Sequence, residues 1–185
     1  MLPDSKIVVF DLETTEVDLA AVRGGFPEIV EVGLCTFNSE FEIEDTYQTF
    51  VKPMHLDEYT EFSERLTGIK YEDLEFAKPW REVWREVAEF THFNGLHLCA
   101  FGSDFDIAVL RQLYYKCGLG YPHNGLAIDL RSLCYAFCAE WGMTMHWSLR
   151  GMADKLEIPM PIGHRALEDA KTSCAILKHI GTFEV

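Results

Sequence analysis

Basic side chains are scarce in this chain: 16 Lys and Arg stand against 30 Asp and Glu, for a net charge of −14. Affinity for a phosphate backbone comes mostly from Lys and Arg, so tight, sequence-independent duplex binding is excluded as the default function. A site whose positive charge is supplied locally by bound cations is not excluded. Paired cysteines are missing too. Cys35, Cys99, Cys117, Cys134, Cys138 and Cys174 form no CxxC pair and mostly sit among apolar neighbours. That pattern argues for buried free thiols and against a zinc or disulfide framework. No window approaches the ~18 apolar residues of a membrane span, and Met1 to Lys6 offer no apolar signal region. A soluble protein of a reducing, cytoplasmic compartment, with no membrane partner, is the expectation. There is no P-loop, no Gly-rich dinucleotide fingerprint and no Gly-x-Ser-x-Gly elbow, which sets aside the chemistries built on them. Repeats, low-complexity stretches and linkers are absent as well. With 185 residues, 48% of them hydrophobic, one domain over 1–185 is expected.

What is present reads as an alternation of strands and helices. Lys6 to Leu12 is a β-branched and aromatic run of buried-strand length. A loop over 13–27 leads to a second strand, Glu28 to Phe37, which a turn at Asn38-Ser39 joins to a third, Phe41 to Val51. A short helix over Asp57 to Leu66 stops before Thr67-Gly68. Pro79 opens a stronger helix with Trp80 and Trp84 at helical spacing, both expected in the core or an interface. Leu96 to Phe101 is a fourth strand, after which Ser103 caps a helix. Ala127 to Leu130 is a candidate fifth strand. Helices near Arg131–Glu140, Trp147–Leu156 and Ala166–Ile180 complete the chain. The pattern implies an α/β domain with a mixed five-stranded sheet flanked by helices.

Three strand or helix ends carry acids. In Asp11-Leu12-Glu13, residues i and i+2 of an extended strand project to one face, at the C-terminal end where open α/β sheets present ligand sites. Two anions this close repel unless a cation or proton intervenes. Asp104 and Asp106 follow the fourth strand, and either suits a metal role. Acids in a helix's first turn also simply complement its dipole. Phe62 and Phe105 read as core residues, Phe105 anchoring this turn. Near the C-terminus, His164 lies in the approach to a helix and Asp169 near its first turn, with Glu168 as a substitute ligand facing solvent. Carboxylates converging from three ends suit a pair of hard cations. Mg²⁺ takes oxygen ligands and is completed by substrate phosphates, and Mn²⁺ is the natural substitute. Two such ions hold the attacking water and leaving oxygen of an in-line displacement, with a histidine to take the proton.

The segments Phe10-Asp11-Leu12-Glu13-Thr14-Thr15, Phe105-Asp106 and His164-Arg165-Ala166-Leu167-Glu168-Asp169-Ala170 together resemble the DEDDh exonucleases of the ribonuclease H-like fold. The histidine with four intervening residues before aspartate marks this branch. A tyrosine branch would carry Tyr at 165, which is Arg here. A finer resemblance, through Phe26 to Gly33, Ile43 to Tyr47, Val51-Lys52-Pro53 and Leu66-Thr67-Gly68-Ile69, is to RNA-trimming exonucleases acting on histone mRNA and small RNAs, and to related bacterial proteins. The 185 residues carry no SAP-type nucleic-acid-binding segment, which makes long structured RNA a less secure substrate.

The resemblance implies Asp11, Glu13, Asp106 and Asp169 as ligands of two Mg²⁺ ions and His164 as general base. It further implies that Leu12, Thr14, Leu66 and Thr67 hold the 3′-terminal nucleotide. The expected activity is stepwise 3′→5′ hydrolysis of single-stranded nucleic acid, RNA favoured over DNA, to nucleoside 5′-monophosphates. An oligoribonuclease-like enzyme for dinucleotides is one alternative. A protein-binding regulatory module on the same fold, suggested by the charge and the many aromatics, is another.

Overall fold

Strand β1 (Ile7–Thr14) divides its side chains between two cores. Val8, Phe10 and Leu12 enter one; Ile7 and Val9 enter the other. Successive strand residues face opposite ways, so Asp11 and Glu13 prolong the row begun by Ile7 and Val9. The computed structural model describes residues 7–15, 27–91, 97–121 and 127–182. It places β1 inside a six-stranded mixed sheet with β2 (Ile29–Phe37), β3 (Ile43–Lys52), β4 (Lys78–Pro79), β5 (His97–Ala100) and β6 (Ile128–Asp129), in the order β4-β3-β2-β1-β5-β6. The β1–β2 and β2–β3 pairs are antiparallel; β1–β5, β5–β6 and β3–β4 are parallel.

Helices cover both faces. On the Val8–Phe10–Leu12 side, α3 (Trp80–Thr91) and α4 (Ser103–Lys116) contribute Trp80, Val83, Leu110 and Tyr114. On the Ile7–Val9 side, α5 (Leu130–Glu140), α6 (Leu149–Lys155) and α7 (Ala166–Thr182) contribute Leu130, Phe137, Met152 and Ile176. Each fully buried large apolar side chain stabilises the fold by roughly 1.5–3 kcal/mol. A smaller cluster of Val30, Tyr59, Ile69 and Leu74 sits under α1 (Glu61–Thr67) and α2 (Tyr71–Glu75). All six cysteines are buried free thiols. Trp80 is buried and Trp84 packs partly buried against the same core.

The five expected strands are present, and the loop through 16–26 lies outside the described residues. Several local details differ from expectation. Pro79 does not open a helix: Lys78–Pro79 pairs with Val51–Lys52 as a sixth, edge strand, and α3 begins at Trp80. An edge tolerates proline because its missing N–H faces no partner. The helix expected over Asp57–Leu66 begins later. Leu56–Glu58 is a 3₁₀ turn, and Thr60 caps α1 by accepting from the Ser63 N–H at 3.3 Å. The α2 turn went unread because five residues are too few to display a period. Ser103 is not a cap but the first residue of α4. The cap position is Gly102 in the left-handed region (φ 82°), and the Asp129 carboxylate accepts from the Gly102 and Ser103 N–H groups at 2.9 and 3.2 Å.

Close approach of α7 to the sheet depends on one glycine. A Cβ on Gly33 would lie 2.2 Å from the backbone carbon of Ala166 and from the Leu167 nitrogen. Gly33 pairs with Asp11 in the β1–β2 register, so the start of α7 is pressed directly beside the acidic end of β1. Because the opposing atoms are backbone, Gly33→Ala must push the helix away. Overpacking of this kind costs ~1–3 kcal/mol, or roughly 2–10 °C in melting temperature for a domain this size. A thermal melt of the variant at or above the wild-type midpoint would contradict this account.

Candidate active site

Strand β1 ends with Asp11 and Glu13 on the face covered by α7, and the first turns of α4 and α7 bring Asp106 and Asp169 to the same place. Together with Leu12, Phe101, Gly102, Asp104, Phe105, Arg131 and His164 they line an open polar pocket of about 330 Å³. Glu13, Asp106 and Asp169 are buried and Asp11 is half-buried. Among the described residues, Glu13, His164 and Asp169 place one ligand atom each within 4.8 Å of one another. The His164 Nδ1 stands 3.7 Å from the Asp169 Oδ2, and the imidazole is 52% exposed. The fixed acid and the accessible imidazole therefore sit side by side, one inside a helix and one in the segment leading to it.

The crowding of anions is visible in their proton affinities. Burial, followed by Asp106, Glu13 and Asp169, raises the Asp11 carboxyl well above its ordinary range. Burial and then Asp169 and Glu31 push Glu13 up to about 8, with Arg165 pulling the other way. Burial and the neighbouring Asp104 raise Asp106 to about 7. Burial raises Asp169 to about 6, although Arg150 opposes the shift. These groups sense one another across one cavity, and each favours its neutral form unless positive charge enters. The donors are carboxylate oxygens and one imidazole, with no thiolate. That set fits hard divalent cations.

The structure distinguishes the two acids of α4. Asp106 is buried in the pocket, whereas the Asp104 side chain is 81% exposed and paired with Arg131 at 3.1 Å. Phe105 is not the core anchor expected; it is partly exposed and lines the pocket, because Ser103 and Asp106 occupy the inward positions of this turn. Phe62 is likewise exposed, since Ser63 and Thr67 are the buried residues of α1. Glu168 pairs with Lys171 at 2.8 Å outside the pocket lining. Leu12 lines the pocket; Thr14, Leu66 and Thr67 do not. Leu66 is exposed, but Thr67 is buried, its hydroxyl donating to the Ser63 carbonyl at 3.0 Å and accepting from the Ile69 N–H at 3.1 Å. Its side chain is committed to the end of α1.

One residue that builds the site was assigned no role from sequence. Glu31, opposite Glu13 in the β1–β2 register, is fully buried. Its carboxylate accepts from the Ala166 N–H at 3.0 Å, from the Arg165 guanidinium at 2.7 Å and from the Gln48 amide at 2.5 Å. A buried carboxylate needs such partners, and here they are the first N–H of α7 and the side chain just before it. Glu31 thus seats the start of the helix carrying Asp169, between His164 and the sheet. Its place in an apolar strand, on the face opposite Val30 and Val32, was the available signal.

The family model for RNase T-type exonucleases matches residues 8–177. The chain is 29% identical over 174 residues to DNA polymerase III PolC-type of Caldanaerobacter subterraneus subsp. tengcongensis, covering 94% of this chain and 11% of that protein. It is 27% identical over 169 residues to 3′-5′ exonuclease DinG of Staphylococcus haemolyticus, covering 91% of this chain and 17% of that one. The chain therefore spans less than a fifth of these relatives' lengths. Among solved structures, the nuclease domain of 3′hExo, a DEDDh family member bound to rAMP, superposes with a TM-score of 0.80 at 23% identity over 95% of this chain and 91% of that one. E. coli exonuclease I in complex with a dT13 oligonucleotide gives 0.78 at 18% identity, over 96% and 41%. The sheet, its helices and the ribonuclease H-like arrangement are those of the DEDDh nuclease structures. With the family model spanning almost all of its length and the acids gathered where its strands end, this chain belongs to the RNase T exonuclease family.

Proposed function

We propose that the chain is a DEDDh-type 3′→5′ exonuclease that hydrolyses the terminal phosphodiester of single-stranded nucleic acid to nucleoside 5′-monophosphates. The observation that carries this reading is the convergence of Asp11, Glu13, Asp106 and Asp169 on one pocket beside His164. The four acids would hold two divalent ions, Mg²⁺ with Mn²⁺ as substitute. When bound, such ions neutralise the acids, lower the pKa of water and stabilise a departing oxygen. The imidazole of His164 turns Nδ1 toward Asp169, which leaves Nε2 to take the proton of the attacking water. In this reading Leu12 in the pocket wall and the exposed Leu66, which is outside the pocket lining, would meet the terminal base, with Thr14 and Thr67 close to them along the chain.

Removing His164 should slow turnover without emptying the ion site, because its side chain is half-exposed and four carboxylates remain. General-base catalysis typically contributes ~10²–10⁴-fold. We expect His164→Ala to lose activity on that scale while Mg²⁺ binding, measured calorimetrically, is kept. Full activity of the variant from about pH 6 to 9 would refute the assignment.

RNA is favoured by the resemblance of the motif segments to RNA-trimming enzymes. A preference for DNA is the second reading, because the matching relatives include a DNA polymerase III of the PolC type. Digestion of 5′-labelled, matched single-stranded RNA and DNA, beside duplexes with 3′ overhangs, tests both. Stepwise shortening from the 3′ end with Mg²⁺ and none in EDTA is expected. Inactivity of well-folded protein on every substrate would overturn the proposal.

A further inference from the structure

Outside the pocket, helix α5 leads away from it with one cation and one exposed ring. Arg131 lines the pocket, and Tyr135 lies one turn further along the same helix face, ~6 Å on. Tyr135 is 57% exposed and Trp147, just before α6, is 66% exposed. Their rings stack with centroids 6.2 Å apart and planes 26° from parallel. Neither ring belongs to a core cluster. Arg150, in the first turn of α6, donates to the Pro161 carbonyl at 2.6 Å, on the segment that leads to His164. Arg131 is paired with Asp104 at 3.1 Å, so exposed rings, and not free positive charge, are what this helix offers beside the pocket.

We infer that Tyr135 and Trp147 form a stacking track for the unpaired bases upstream of the 3′ terminus. The inference rests on the exonuclease reading and extends it to how a substrate strand leaves the pocket. Exposed aromatic rings are a usual means of holding single strands without sequence preference, since every base presents a flat face. A duplex keeps those faces stacked internally, so the track selects single strands. It also offers an acidic protein affinity that does not depend on net charge.

The test measures binding apart from cleavage. Fluorescence anisotropy of a labelled single-stranded 12-mer is read with Ca²⁺ in place of Mg²⁺, using wild type, Tyr135→Ala, Trp147→Ala, the double variant and Tyr135→Phe. Stacking of a base on an aromatic is worth a ~5- to 150-fold change in affinity. The alanine variants should bind about tenfold or more weakly, and Tyr135→Phe should match wild type because the ring and not its hydroxyl is used. In Mg²⁺, KM for the 12-mer should rise while hydrolysis of a dinucleotide, too short to reach the track, stays within about twofold. Unchanged 12-mer binding in the double variant overturns the track, and so does an absence of binding by wild type. Equal loss on 12-mer and dinucleotide also overturns it, by showing that the rings act on the fold or the pocket. Binding lost in the double variant, with wild type cleaving no substrate, keeps the track and removes the nuclease reading.

Discussion

Asp11→Asn is expected to abolish cleavage and, in metal-free protein at pH 8, to raise the melting temperature. The two effects share a cause. Asp11 lies among Asp106, Glu13 and Asp169, each of which disfavours its ionised form. An amide of the same shape is neutral at every pH, so it carries none of the penalty that Asp11 meets among these acids. It also removes an oxygen donor from the proposed ion site. Losing one electrostatic partner of a transition state typically costs ~10²–10³-fold in rate, and loss of an ion costs more. Metal-dependent digestion and a thermal melt in EDTA check both halves. A variant that melts lower than wild type in EDTA at pH 8 would show that Asp11 is held by stabilising contacts and not by strain.

Metal removal should have its largest effect on stability at alkaline pH. Folding raises Glu13 from 4.5 to about 8, Asp106 from 3.8 to about 7 and Asp169 from 3.8 to about 6. The folded state therefore holds protons that the unfolded state has released. Stability falls with pH wherever that holds. Metal-free protein should lose stability steadily from about pH 4 to about pH 8. Divalent ions reverse the sign of the local field and bind only the folded site. At ~100 times its Kd one ion adds about 2.7 kcal/mol, or roughly 5–10 °C in a domain of this size. Differential scanning fluorimetry at pH 5 and pH 8, with EDTA and with Mg²⁺, reads this directly. A larger Mg²⁺ shift at pH 5 than at pH 8 would contradict the cluster as described.

Gly33 and Glu31 explain why this cluster is assembled despite its repulsion. Gly33 removes the side chain that would hold α7 off the sheet, and Glu31 ties the first N–H of that helix to β2. The attraction is local to the helix start; the repulsion it offsets lies one strand away, at Asp11 and Glu13. Structural investment in α7 thus makes an unfavourable arrangement of acids persist, as the proposed cation site requires.

Much of this was legible in the residue order alone. The Val8–Phe10–Leu12 row and the intervening Ile7–Val9 row set the pleat of β1, and the pleat put Asp11 and Glu13 on one face before any neighbour was known. The histidine and aspartate around Arg165 to Glu168 marked the family in the same way. Asp106 was named in preference to Asp104 through the Phe105-Asp106 motif. What the chain order did not disclose was long-range. The physical difference between the two acids depends on which side of α4 meets the sheet, and the turn buries Asp106 and leaves Phe105 at the pocket. Asp129, distant in sequence, caps α4 in place of Ser103. The bonds of Glu31 to Arg165 and Ala166 span more than 130 residues. Periodicity and motifs report on neighbours along the backbone. Partners brought together by packing leave no periodic trace, and only the tertiary structure decided them.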